Sequence, residues 1–170
     1  TPGLATMMYS ERVPEAGGHT EFASTYEAYD QLSSEMKVRL DGLNAIHNLD
    51  FSRTRRHGED PMTEEQKRKV PPVPHPVVRR HPETGRPALF LGDHAETIEG
   101  MDYQEGRDLI EQLMTTSITD DMIYSHKWQP RECAIWDNRC TLHRATGFDT
   151  TKHIRVMRRC TTLGQVPNAA

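Results

Sequence analysis

The sequence predicts a strand-rich α+β fold in a single domain, residues 1–170, on three observations. Eleven prolines and eleven glycines punctuate the chain, and residues of these types end elements early and favour turns. The apolar runs between them are mostly short, of strand rather than helix length. Sustained helical periodicity is strongest in one place, 103–116, where Leu109, Ile110, Leu113 and Met114 share a face. A chain of 170 residues can bury a real core, although a hydrophobic fraction of 35% is low for one.

Each element follows from local chemistry. Residues 4–13 (LATMMYSERV) read as a strand whose start lies before Thr1, and 14–18 (PEAGG) as a turn, since glycine supplies positive φ without steric cost. A short strand follows at 20–23. Ser24 or Thr25 caps a helix through Tyr26, Tyr29, Leu32 and Met36, and Ser33 or Ser34 offers a second start towards Val38 and Leu40. Residues 43–51 (LNAIHNLDF) form a strand. The span 52–74 is a polar loop with a short helix from Thr63 and an extended proline linker at its end; loops of this length can act as lids. Residues 77–81 and 87–91 pair as a hairpin around Pro82-Glu83-Thr84-Gly85. Asp102 caps the helix at 103–116, residues 122–128 return to strand, and 130–132 turn into the last third. There two strand-like runs, 133–136 and 154–157, bracket a polar turn and His143. Residues 164–170 are a frayed tail.

Composition excludes several classes of function. A formal charge of −4 gives no attraction to nucleic acid or an anionic membrane. The basic residues Arg53, Arg55, Arg56, Lys67, Arg68 and Lys69 lack the interleaved aromatics of a single-strand binder. Cys133, Cys140 and Cys160 are odd in number and form no CxxC, which argues against a disulfide framework and for a reducing compartment, the cytoplasm by default. No apolar run reaches membrane-spanning length and no signal peptide is visible. The missing initiator Met fits a fragment or a processed chain.

In an extended strand, residues an even number apart share a face, so Arg155, Met157 and Arg159 point one way and Arg158 the other. The arginine fork matches a carboxylate bidentately. Two such arginines near a histidine on a neighbouring strand suit a site for a metal and small carboxylates. Taken alone, His143 reads as a hydrogen-bonded structural residue, and Arg158 and Arg159 read as surface charge or ion pairs. His57-Gly58-Glu59 and His94-Ala95-Glu96 also offer metal-ligand pairs by spacing.

The stretch WDNRCTLHRATGFDTTKHIRVMRR resembles the C-terminal signature of the TauD/TfdA family of Fe(II)- and 2-oxoglutarate-dependent dioxygenases. The resemblance runs back through HPVVRRHPETGRPALFLG to GGHTEFAS and covers nearly the whole chain. It implies a mainly β double-stranded β-helix, or jelly-roll, with flanking helices. It also implies an N-terminally incomplete domain, because the family's His-x-Asp motif would stand shortly before GGHT. By the same resemblance His143 is a ligand to iron, Thr20 and Arg155 bind the carboxylate of 2-oxoglutarate, and Arg159 contacts an anionic substrate. His19 stands where relatives carry Asp and takes no metal role, while Trp136 and Asn138 pack and hold the turn. His94 and Glu96 align with a segment away from the iron and are set aside.

The implied reaction is hydroxylation of a small anionic compound with O2, releasing succinate and CO2. GGHTEFAS and RCTLHRA resemble the 2,4-dichlorophenoxyacetate branch, which places an aryloxyalkanoate first and sulfonates or sulfate esters next. With two of three iron ligands missing, the 170 residues alone are expected to be inactive. Two other readings stay open: a metal-free jelly-roll module that binds a carboxylate through Arg155 and Arg159, and a truncated remnant whose exposed edge would drive homo-oligomerisation.

Overall fold

The computed structural model describes residues 2–167 and 169, and the backbone alone of Arg56 and His57. β1 (Gly3–Arg12) and β2 (Thr20–Ser24) lead into α1 (Thr25–Asp30) and α2 (Ser34–Leu40). β3 (Asn44–His47) is followed by α3 (Leu49–His57) and α4 (Glu64–Lys69). β4 (Val73–Pro76), β5 (Val78–Arg80), β6 (Pro87–Leu89) and β7 (Ala95–Ile98) precede α5 (Tyr103–Thr116). β8 (Tyr124–His126), β9 (Cys133–Asp137), β10 (Thr141–Ala145) and β11 (Val156–Leu163) follow.

Three antiparallel sheets of three strands and one hairpin organise these elements among the described residues. Their orders are β11-β1-β9, β10-β2-β8, β4-β3-β7 and β5-β6. The first two face each other. The Trp136 ring of β9 lies 5.1 Å from Phe22 of β2 and 4.9 Å from His143 of β10, centroid to centroid. The candidate site residues gather between these two sheets.

The apolar core sits elsewhere. Leu109, Ile110 and Leu113 of α5 pack with Ala45, Ile98, Val77, Leu89 and Leu40, all buried. Burying each leucine or isoleucine contributes roughly 1.5–3 kcal/mol. Asp102 accepts from the backbone N–H groups of Gln104 and Glu105 and starts α5. Gly106 lets the helix approach β7 closely, since a Cβ there would fall 2.6 Å from Ile98 N. No helix among the described residues is long and apolar enough to cross a membrane.

Most expected elements hold. The helix expected through Met36, however, breaks into α1 and α2, the strand expected over 122–128 is a 3-10 turn at Asp120–Met122 followed by β8 alone, and the strand expected from Ile154 begins only at Val156. The larger departures surround the third sheet. Residues 49–51, expected in a strand, begin α3, because the Asn48 side chain accepts from Asp50 N and starts a helix. The span 52–74, expected as a loop with one helix, contains the end of α3, then α4 with a capping box between Thr63 and Gln66, then the start of β4. The proline linker forms β4, which pairs with β3 at the sheet edge, where proline is tolerated. β7 was not expected at all. In the tail, expected to be frayed, Gly164 N donates to Pro2 O and Ala169 bridges to Arg79; residues 168 and 170 lie outside the described residues.

Candidate active site

Strand register assigns the walls of the cleft between the two facing sheets. On the first, Trp136 is opposite Thr6, Ala134 opposite Met8, and Met8 in turn opposite Arg159. Alternation therefore puts Trp136, Met8, Arg159 and Met157 on one face. On the second, His143, Phe22 and Tyr124 form one row and Ala145, Thr20 and His126 the next. The Trp136–His143 contact shows that these two faces look at each other. Arg158 lies on the opposite face and pairs with Glu11 at the surface.

One row away from His143 stands a cluster of donors. Thr20 is 2% exposed, and its Oγ1 accepts from Trp128 Nε1 at 2.9 Å and from Arg155 Nη2 at 3.5 Å. Arg155, which directly precedes β11, also donates from Nε to Gly18 O at 3.0 Å. Gly18 is required there. Its φ is +65°, and a Cβ would meet Pro14 Cγ at 2.6 Å and the Arg155 stem at 3.2 Å. Gly18 N donates to Gly147 O and His19 N to Thr146 Oγ1, which ties the GGHT turn to the end of β10. Burial pushes the Arg155 guanidinium below its ordinary pKa. Among the described residues neither the half-buried Arg155 nor the exposed Arg159 has a carboxylate partner.

The turn from β9 to β10, which aims His143, is braced by a separate polar network. Arg139 grips Asp137 with Nε–Oδ1 at 2.9 Å and Nη2–Oδ2 at 2.6 Å. His81, 3% exposed, lies with Nε2 3.2 Å from Asp137 Oδ2. Burial would raise the Asp137 carboxyl, but the bonds from Arg139 and His81 outweigh it and hold it at about 2. Arg79, buried beside this network, donates to the carbonyls of Asn138 and Arg139 and stacks on Phe90 at 3.8 Å. Asn138 holds the turn as expected, donating from N to Leu4 O and exchanging a side-chain bond with Thr6. The buried Trp136 Nε1, in contrast, finds no acceptor among the described residues.

His81, Asp137 and Cys140 bring ligand atoms within 4.8 Å of one another, the one such group of three among the described residues. The group is poorly suited to a metal. His81 Nδ1 accepts from the backbone N–H of Glu83 and Thr84, so Nε2 carries the proton, and Asp137 is already held by Arg139. Glu96 lies on β7 of the third sheet and His94 in the turn just before it: His94 Nδ1 is 2.7 Å from Ser52 Oγ and Glu96 accepts from Asn48 Nδ2. The His57 side chain lies outside the described residues. His143 faces the cleft, packed against Trp136.

Sequence reading named Thr20, His143, Arg155 and Arg159, and the structure places all four around this cleft. It missed Trp128, whose contact with Thr20 spans 108 residues, and the aromatic row of Phe22 and Tyr124. Alternation along residues 20–24 and 124–128 would have flagged that row.

The facing sheets and their flanking helices form a double-stranded β-helix, or jelly-roll. The profile of the taurine catabolism dioxygenase TauD, TfdA family matches residues 1–161, and the chain belongs to this family. It is 39% identical over 160 residues to the alpha-ketoglutarate-dependent 2,4-dichlorophenoxyacetate dioxygenase of Burkholderia sp. (strain RASC), covering 94% of this chain and 53% of that protein. It is 32% identical over 169 residues to the alpha-ketoglutarate-dependent sulfate ester dioxygenase of Pseudomonas putida, covering 96% and 56%. Among solved structures, AAD-2 in complex with Mn(II) and N-oxalylglycine superposes with a TM-score of 0.92 at 36% identity, over 99% of this chain and 66% of that one. The chain spans about half the length of the curated relatives it matches.

Proposed function

We propose that this chain forms the co-substrate half of an Fe(II)- and 2-oxoglutarate-dependent dioxygenase that hydroxylates a small anionic substrate. The carrying observation is the pairing of His143 with the Thr20–Arg155 cluster, one row apart on a single face. Two strand positions span about 7 Å, which suits a five-carbon dicarboxylate held at one end by the arginine and at the other beside His143. The chemistry that Fe(II) supplies when bound is oxidative decarboxylation of 2-oxoglutarate to succinate and CO2, coupled to hydroxylation of a C–H bond with O2. The chain's own part is positional. Arg155 and Thr20 fix the distal carboxylate, and Trp136 and Phe22 pack against the His143 imidazole. Arg159 offers its fork to the anionic group of the substrate.

An iron site of this class takes two histidines and a carboxylate, and no group of three ligand-bearing side chains among the described residues includes His143. The 170 residues alone are therefore expected to hold iron weakly and to turn over little. Aryloxyalkanoates lead the substrate reading. Tyr124, 64% exposed, and Phe22 offer rings on the row of His143 for an aryl group to pack against. Sulfate esters and sulfonates come second, and the same Arg159 would bind them. Calorimetric titration with 2-oxoglutarate tests the anchor: Arg155→Leu should weaken binding on the order of 10- to 100-fold. Unchanged affinity would overturn the proposal. Arg159→Leu should spare 2-oxoglutarate and weaken phenoxyacetate.

A further inference from the structure

A threonine hydroxyl has one proton to donate and two lone pairs to accept with. At Thr20 both lone pairs are addressed by donors that cannot reverse their role. The indole Nε1–H of Trp128 stands at 2.9 Å and the Arg155 guanidinium at 3.5 Å. Neither group has an acceptor to offer, so neither can take the Thr20 proton. Trp128 is 5% exposed, and His126 packs edge-on against its ring at 4.5 Å, which fixes the indole. Among the described residues the hydroxyl proton of Thr20 meets no acceptor.

We infer that Trp128 is a positioning residue that locks Thr20 as a hydrogen-bond donor and so makes the anchor selective for a carboxylate over its amide. This inference rests on the proposal that Thr20 and Arg155 hold the distal carboxylate of the co-substrate. A carboxylate is acceptor-only and satisfies both donors. A primary amide must turn its NH2 towards one of them, leaving two donors opposed in a buried place, and buried polar groups left unpaired are what produces strong discrimination. Without the indole N–H, the hydroxyl can rotate, accept from the amide, and tolerate the wrong ligand.

The test compares 2-oxoglutarate with 2-oxoglutaramate, its distal amide, by calorimetry on the whole chain, with near-UV circular dichroism and Tm reporting folding. Trp128→Phe should weaken 2-oxoglutarate about 3- to 10-fold while narrowing the acid-to-amide ratio about 10-fold. Thr20→Val should narrow the ratio similarly, and adding Trp128→Phe to it should change nothing further, because the two act through one hydroxyl. If Trp128→Phe folds and keeps the ratio, the inference fails while the anchor stands, provided Arg155→Leu still loses 2-oxoglutarate. If Trp128→Phe does not fold, Thr20→Val alone decides, and an unchanged ratio overturns the inference. If Arg155→Leu binds normally, or the parent chain binds no 2-oxoglutarate, the anchor reading fails and this inference with it.

Discussion

Two arginine clusters stand at opposite ends of β10, and they are built differently. At the N-terminal end, Arg139 and Arg79 are fully engaged, one by Asp137 and Glu83, the other by two carbonyls and the Phe90 ring. At the C-terminal end, Arg155 has one carbonyl and one hydroxyl, and neither it nor Arg159 has a carboxylate among the described residues. A partly buried cation without a counter-charge is costly unless something else supplies it. The first cluster is a brace, and the second is the one we propose as a receptor. The difference teaches that arginine count says little here; partner accounting separates structure from function.

Substitutions should separate the two clusters sharply. The largest stability effect is expected from Arg79→Ala, which strips two charge-assisted hydrogen bonds and a cation–π contact from a buried turn. Denaturant unfolding should show a loss of roughly 3 kcal/mol. A smaller loss would mean that water or Arg139 replaces the brace.

A comparable effect should come from pH. His47 lies between His75 and Phe90, ring centroids 5.2 and 4.9 Å away. Burial first, then the nearby His75 and His94, lowers it from 6.5 to about 4. Between those values the unfolded chain binds a proton that folded His47 does not, so stability falls as pH drops through that window, by up to about 3 kcal/mol. His47→Phe should flatten that slope. Asp137 adds a further loss only below its ordinary 3.8, as pH falls towards 2.

Next in size is Gly18→Ala. It places a side chain at φ +65° against Pro14 and the Arg155 stem, and should cost about 1–2 kcal/mol. Because the strain falls on the anchor, it should also weaken 2-oxoglutarate, which Arg79→Ala should do far less. Smallest is Arg158→Ala: its ion pair with Glu11 lies at the surface on the outer face, and neither the unfolding midpoint nor ligand affinity should move measurably.

How much of this was legible in the sequence differs between elements for physical reasons. β1, β2, the β5–β6 hairpin and α5 follow from alternation, turn residues and one strong apolar stripe, all local signals. The α3 start was missed because Leu49 and Phe51 extend an apolar run that fits either element, and the deciding feature is the cap at Asn48. β4 was hidden by prolines that only an edge position permits. The site divides in the same way. Parity along 155–159 placed Arg159 on the face opposite Arg158, but the Trp128–Thr20–Arg155 contacts join residues more than a hundred positions apart. Nothing local announces them.

The most direct test of the central claim, that His143 and the Thr20–Arg155 anchor form one dicarboxylate site, is histidine side-chain NMR during a Mn(II) titration. All nine histidines report at once, and paramagnetic broadening registers even weak metal contact. The prediction is that His143 broadens first, that 2-oxoglutarate strengthens its broadening, and that Arg155→Leu removes this enhancement. Broadening led by His81 or His94, or a His143 signal indifferent to 2-oxoglutarate, would contradict it.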